Sequence, residues 1–177
     1  LITDSLGLAN TSLIVDSTRI AGPMEIRVVF SGIEGSTGLV GDESITRVIV
    51  LAPTVIEITG VTGSAIAGET VTFHGTLLDE HGQSLLDQGI ETGGIIHLTI
   101  DGIDVGAMYS TQSNYSTGEW SITYDLPLDT DYGAHSIQAD FFGGFTWVDP
   151  MGQGDSLNPE YYLPSMSNSI FNVTQTS

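Results

Sequence analysis

Four histidines, His74, His81, His97 and His135, are the candidate general bases of this chain, set among 22 acidic residues and no cysteine. Base-assisted hydrolysis needs a nucleophile, a base and an orienting acid within reach of one another. No G-x-S-x-G elbow, H-E-x-x-H pair or phosphate-binding loop is present to assemble them, and "GSAIAGE" (63–69) is too loose to serve as one. His74 and His97 fall on the outward, polar phase of alternating segments. His135 follows the turn "DTDYGA", where a hydrogen bond to turn backbone is the expected role. The residue types therefore point away from an enzyme.

The acids suggest different chemistry. Oxygen-only donors suit Ca²⁺, and a long Gly-rich loop tolerates its variable geometry, so Asp149 and Asp155 are candidate Ca²⁺ ligands, the alternative being acids simply solvated on their loops. In a sandwich whose strands alternate up and down, the loops around residues 80–94 and 143–167 share the end at which the chain enters. That end collects Asp79, Glu80, Asp87 and Glu91 with Asp149, Asp155 and Glu160, and Arg19 of "STRIAG" should face the first four as an interdomain contact. Asp101, Asp104, Asp125, Asp129 and Asp131 gather at the opposite end, where "DTD" lacks the third acid of an EF-hand and reads as a solvated turn. Phe145, Trp147, Tyr161 and Tyr162 of the long loop form an aromatic cluster expected to contact a partner surface, a second protein or a glycan. Asn10, Asn114 and Asn172 each open an Asn-x-Ser/Thr sequence and are expected glycosylation sites.

The charge narrows the partners. Arg19, Arg27 and Arg47 are the only basic residues against a formal net charge of −19, so phosphate-driven binding of nucleic acid is excluded. There is no apolar run approaching the roughly 20 residues of a membrane span, so no direct membrane insertion is expected in this segment. A leader or anchor, where one exists, is expected outside it.

These residues must be positioned by strands. Apolar and polar residues alternate with period two, no window sustains helical spacing, and Gly-rich turns recur at the interval of a sandwich. The pattern predicts seven strands, at 54–61, 69–79, 95–101, 104–110, 119–126, 134–142 and 168–175, the third and fourth forming a hairpin about Asp101-Gly102. Residues 1–53 repeat the end of the series: "TSLIVDS" (11–17), "GPMEIRVVF" (22–30) and "ITRVIVLA" (45–52) match the last three strands, with Gly22 against Gly133 and Val50 against Val173. Residues 1–53 therefore read as the C-terminal strands of an incomplete domain and 54–177 as a complete one. The incomplete unit should have its apolar face covered by strands from elsewhere, in an array of tandem repeats joined by a Pro-stiffened linker.

"GETVTFHGTL", "TGEWSITYDLP" and "GAHSIQADF" resemble the second, fifth and sixth strands of the immunoglobulin-like repeats of prokaryotic cell-surface, adhesin and S-layer-type proteins. The resemblance covers 54–177 well and 11–52 in part, and the chain lacks the cysteine pair that bridges antibody sheets. It implies an all-β fold of tandem immunoglobulin-like antiparallel β-sandwiches, the first one incomplete, in a non-enzymatic extracellular protein. The expected function is structural: part of a filament, S-layer or stalk that self-associates with neighbouring copies or adjacent domains. The alternatives are an adhesin-type module binding a carbohydrate or receptor, and a non-catalytic accessory region of a secreted enzyme.

Overall fold

A computed structural model of the chain describes residues 9–14, 21–32, 41–63, 65–87, 90–91, 93–143, 147–148, 155–156 and 161–174. The fold is all-β and antiparallel. Strands β1 (Gly22–Phe30) and β2 (Asp42–Val50) form a two-stranded sheet. β3 (Thr54–Gly63), β4 (Thr70–Asp79) and β10 (Glu119–Asp125) form a second, with β4 in the middle. In the third sheet β14 (Ser165–Val173) pairs β11 (Gly133–Phe141), which pairs β7 (Ile95–Ile100), and the stubs β8 (Ile103–Asp104) and β9 (Thr111–Gln112) lie beside β7. Two-residue hairpins, β5 (Leu86–Asp87) with β6 (Ile90–Glu91) and β12 (Trp147–Val148) with β13 (Asp155–Ser156), punctuate the two long loops.

The second and third sheets share one core. Period-two alternation sends Val71, Phe73 and Leu77 of β4 and Trp120 and Ile122 of β10 inward, where they meet Ile96 and Leu98 of β7, Ile137, Ala139 and Phe141 of β11, and Phe171 and Val173 of β14. Phe73 and Phe171 touch edge to face across the layers, their centroids 5.2 Å apart. Each such side chain contributes roughly 1.5–3 kcal/mol through burial. Gly75 lies directly opposite Trp120, and its missing side chain makes room for the indole.

The side of this two-layer body is closed by a parallel splice. Ala52 N–H donates to Tyr161 O (2.9 Å), Leu163 N–H to Ala52 O (2.9 Å), and Thr174 N–H to Ala65 O (2.8 Å). Thr54 Oγ1 adds a bond to Leu163 O at 2.9 Å. The segment joining the two repeats is thereby held against the start of β14.

The internal repeat extends to atomic register. β1 and β2 pair from Gly22↔Val50 to Phe30↔Asp42, and β11 and β14 pair from Gly133↔Val173 to Phe141↔Ser165, nine pairs in each. Gly22 (φ 133°) and Gly133 (φ 123°) open their strands in the same conformation, one that L side chains rarely adopt.

Several expectations are corrected. Residues 11–14 of the expected strand 11–17 are exposed and unpaired in any sheet, and 15–17 lie outside the described residues. Over the expected strand 104–110 the stub β8 instead ends at Asp104 and a 3₁₀ turn (Ala107–Tyr109) follows before β9, because Gly106 takes a positive φ (93°) and Tyr109 turns inward against Tyr124 at 4.8 Å. The Asp101-Gly102 turn does form between β7 and β8, with φ of 49° and 77°. Within this chain the face of β1–β2 that strands from elsewhere are expected to cover is exposed at Val28 (52%), Phe30 (47%) and Val48 (37%). No described strand of the chain pairs with β1 or β2 other than each with its mate, and the opposite face carries the cross-strand pairs Arg27–Glu43 and Glu25–Arg47 together with exposed Val29, Ile45 and Ile49.

Gly75→Ala is expected to cost about 1–3 kcal/mol, since its Cβ would run into the Glu57 carbonyl and the Trp120 ring. Gly60→Ala, where a Cβ meets nothing within 4 Å, is the control. Equal urea midpoints for the two variants would refute this account of the core.

Candidate functional site

A densely bonded polar cluster joins the β7–β8 turn to the start of β11. His135 Nδ1 lies 2.6 Å from Asp101 Oδ2, and its Nε2 lies 2.8 Å from Asp131 O. The second bond is the turn-backbone contact expected of His135; the first joins two residues the sequence left unconnected. Asp101 Oδ1 accepts from Ser136 N–H (2.8 Å) and Ser136 Oγ–H (3.2 Å). Both partners of the imidazole are acceptors, so it can donate to both only as the imidazolium. Its hydrogen bond to the Asp101 carboxylate, with the Asp131 carbonyl second, raises the His135 pKa above 6.5. The same bond, helped by Ser136 N–H, lowers Asp101 below 3.8.

Serine, histidine and aspartate meet here in the wrong arrangement for acyl transfer. Ser136 Oγ donates to Asp101, so the imidazole is in no position to take its proton. The cluster works as a clamp on the turn. It is also absent from the first repeat, where register places Met24 at the His135 position.

The other histidines are engaged differently. His74 Nε2 bonds Thr62 Oγ1 at 2.7 Å on the outer surface. His97, expected to face outward, is only 4% exposed, because Phe142 folds over it with ring centroids 5.2 Å apart. Asp140, opposite His97 across the ladder, has its carboxyl pushed up by burial despite a bond from Gln138. His81 stands 3.7 Å from the Glu80 carboxylate in the turn after β4.

The expected interdomain acids lie partly within view. Asp79 pairs Thr54 at the linker end of β4, and its carboxylate caps its own turn by accepting from His81 and Gln83 N–H. Glu80 N–H donates to Pro53 O at 3.2 Å, which sets this turn beside the linker. Asp87 and Glu91 lie in the small β5–β6 hairpin, and only their backbone is described; Arg19 lies outside the described residues. Asp155 pairs Val148 in β12–β13 through its backbone, while Asp149, Glu160 and Phe145 lie outside the described residues. Among the described residues no three His, Asp or Glu side chains are grouped to hold a metal ion.

Of the aromatic cluster, Trp147 is described only as backbone in β12. Tyr161 and Tyr162, expected to face a partner, are instead 8% and 4% exposed and belong to the core. The splice accounts for this, since pairing Ala52 with Tyr162 draws both rings under the linker, where the Tyr161 ring comes against Gly22 of the first repeat. No local pattern could show it, because the pairing spans more than a hundred residues of sequence.

Comparison of the chain with family models, curated proteins and solved structures found no match in any of them.

The clamp has a pH signature. The His135 contribution is full below pH 6.5 and is lost as pH rises through its raised pKa, while that of Asp101 is present above 3.8 and lost as pH falls through its lowered one. The stability difference between the natural chain and Asp101→Asn is therefore expected to peak between about pH 4 and 6.5, at no more than about 1 kcal/mol, because Asp101 is half exposed. Asn tolerates the positive φ of this position, so the turn survives the substitution. Denaturant titrations across pH check this, and a difference constant from pH 4 to 9 would refute it.

Proposed function

We propose that the chain is a structural segment of an extracellular surface protein, part of a filament, S-layer or stalk built from tandem immunoglobulin-like β-sandwiches, and that it associates through the open face of β1–β2. The observation that carries this reading is the shared register of the two hairpins. Ile137, Ala139, Phe141, Phe171 and Val173 lie under the β3–β4–β10 sheet, each at most 4% exposed. The register-equivalent residues Ile26, Val28, Phe30, Val48 and Val50 sit in a sheet joined by no other described strand and lie outside that core. A face patterned like a sandwich interior and left open supports closure by further strands, in sequence or from a neighbour.

The linker supports a stiff array. Ala52, Pro53 and Thr54 are bonded to Tyr161, Leu163 and Glu80, so the two repeats are joined without a flexible tether. The formal net charge of −19 keeps such a rod soluble while the open hairpin directs contact. A structural role also fits a His135 cluster that clamps a turn and activates no nucleophile.

The full chain is expected to sediment above the monomer in a concentration-dependent way and to bind an apolar dye. The triple variant Val28→Thr, Phe30→Thr, Val48→Thr should reduce both several-fold while the main thermal transition stays within a few degrees. A chain that is monomeric at high concentration and binds no dye would sink the proposal.

A further inference from the structure

Asn114 lies in the turn between β9 and β10, and its surroundings differ from those of the other two Asn-x-Ser/Thr sequences. Its Oδ1 accepts three hydrogen bonds, from Ser116 N–H (2.8 Å), Ser116 Oγ–H (2.8 Å) and Thr117 N–H (3.2 Å). The hydroxyl that the sequence motif requires is thus already bonded to the carboxamide that would be modified. The turn is closed by Asn114 N–H to Glu119 O (2.6 Å) and Gly118 N–H to Asn114 O (2.8 Å). Below it, buried Ser113 accepts Gly94 N–H through its hydroxyl, which ties the turn to the body. Asn114, Tyr115 and Ser116 themselves are exposed.

Three donors on Oδ1 draw electron density from the amide and make its N–H more acidic, and they leave Nδ2 as the end of the side chain with no part in the turn. Beside Asn114 an open polar groove, lined by Thr76, Gln112, Glu119 and Ser121 above the Trp120 edge, offers hydroxyl and carboxylate partners to a first sugar. Asn172, in contrast, is fixed in β14 opposite Ala134, with Val173 buried and Thr174 N–H bonded to Ala65 O. Asn10 lies in an exposed stretch that belongs to no sheet.

We infer that Asn114 is the chain's preferred N-glycan acceptor, modified on the folded protein by a transferase using a sugar donor activated as a lipid-linked phosphate or diphosphate ester. In that step Nδ2 forms a bond to the anomeric carbon and the bond from that carbon to the phosphate oxygen breaks. The phosphate leaves with the electron pair, and one Nδ2 proton passes to a base of the transferase. The inference is independent of how β1–β2 is covered.

The test is to secrete the full chain from a host that glycosylates Asn-x-Ser/Thr, alongside a reporter glycoprotein, and to measure intact mass and glycopeptides. The expected result is a glycan increment on Asn114, lost in Asn114→Gln and Ser116→Ala, kept in Ser116→Thr, and unaffected by Asn172→Gln. Circular dichroism of the Ser116 pair separates loss of the acceptor from loss of the fold. An unmodified Asn114 beside a modified reporter, or occupancy of Asn10 or Asn172 in preference to it, overturns the inference.

Discussion

The backbone splice between residues 52–66 and 161–174 is the constraint on which the rest of the structure depends. It is made of main-chain hydrogen bonds at both ends, Ala52 with Tyr161 and Leu163, and Ala65 with Thr174. In its sheet β3 pairs only with β4, and the splice bonds at its two ends tie that edge to β14 and close the core along one side. With it, Tyr161 and Tyr162 are drawn into the core and the linker loses its freedom. An edge that would otherwise offer unpaired donors and acceptors is engaged at both ends.

The same constraint fixes what the first hairpin can do. Held at its base by Ala21, which is buried, and by Gly22 against Tyr161, β1–β2 forms a two-stranded ribbon that no other described strand joins. Two strands are marginal by themselves in water, and cross-strand pairs of arginine with glutamate on the outer face add little at such exposure. Both faces expose apolar side chains, Val28, Phe30 and Val48 on one and Val29, Ile45 and Ile49 on the other, and the functional reading rests on the face whose register matches the covered hairpin.

Much of the fold was legible in the residues. Alternation placed the main strands of residues 54–177, and the paired glycines at 22 and 133 announced a repeat whose register the structure reproduces pair by pair. The Asp101-Gly102 hairpin followed from turn chemistry alone. The failures have a common cause. The segment 104–110 alternates well enough to read as a strand, yet Tyr109 finds Tyr124 and the chain turns in. His97 sits on a polar phase, yet Phe142 folds over it. In the candidate sites, the turn contact of His135 was foreseeable from its place after "DTDYGA", but its bond to Asp101 was not, because that partner is 34 residues away.

By itself the sequence determined an antiparallel all-β chain with two copies of one hairpin and a strongly acidic composition, three basic residues against 22 acidic ones. Those properties come from period, composition and turn residues, which act over a few neighbours. Only the tertiary structure decided that Tyr161 and Tyr162 are core residues, that His135 and Asp101 clamp a turn, and that one copy of the hairpin is covered while the other is open. Each of these depends on contacts between segments far apart in the chain, where burial and hydrogen bonding outweigh local preference.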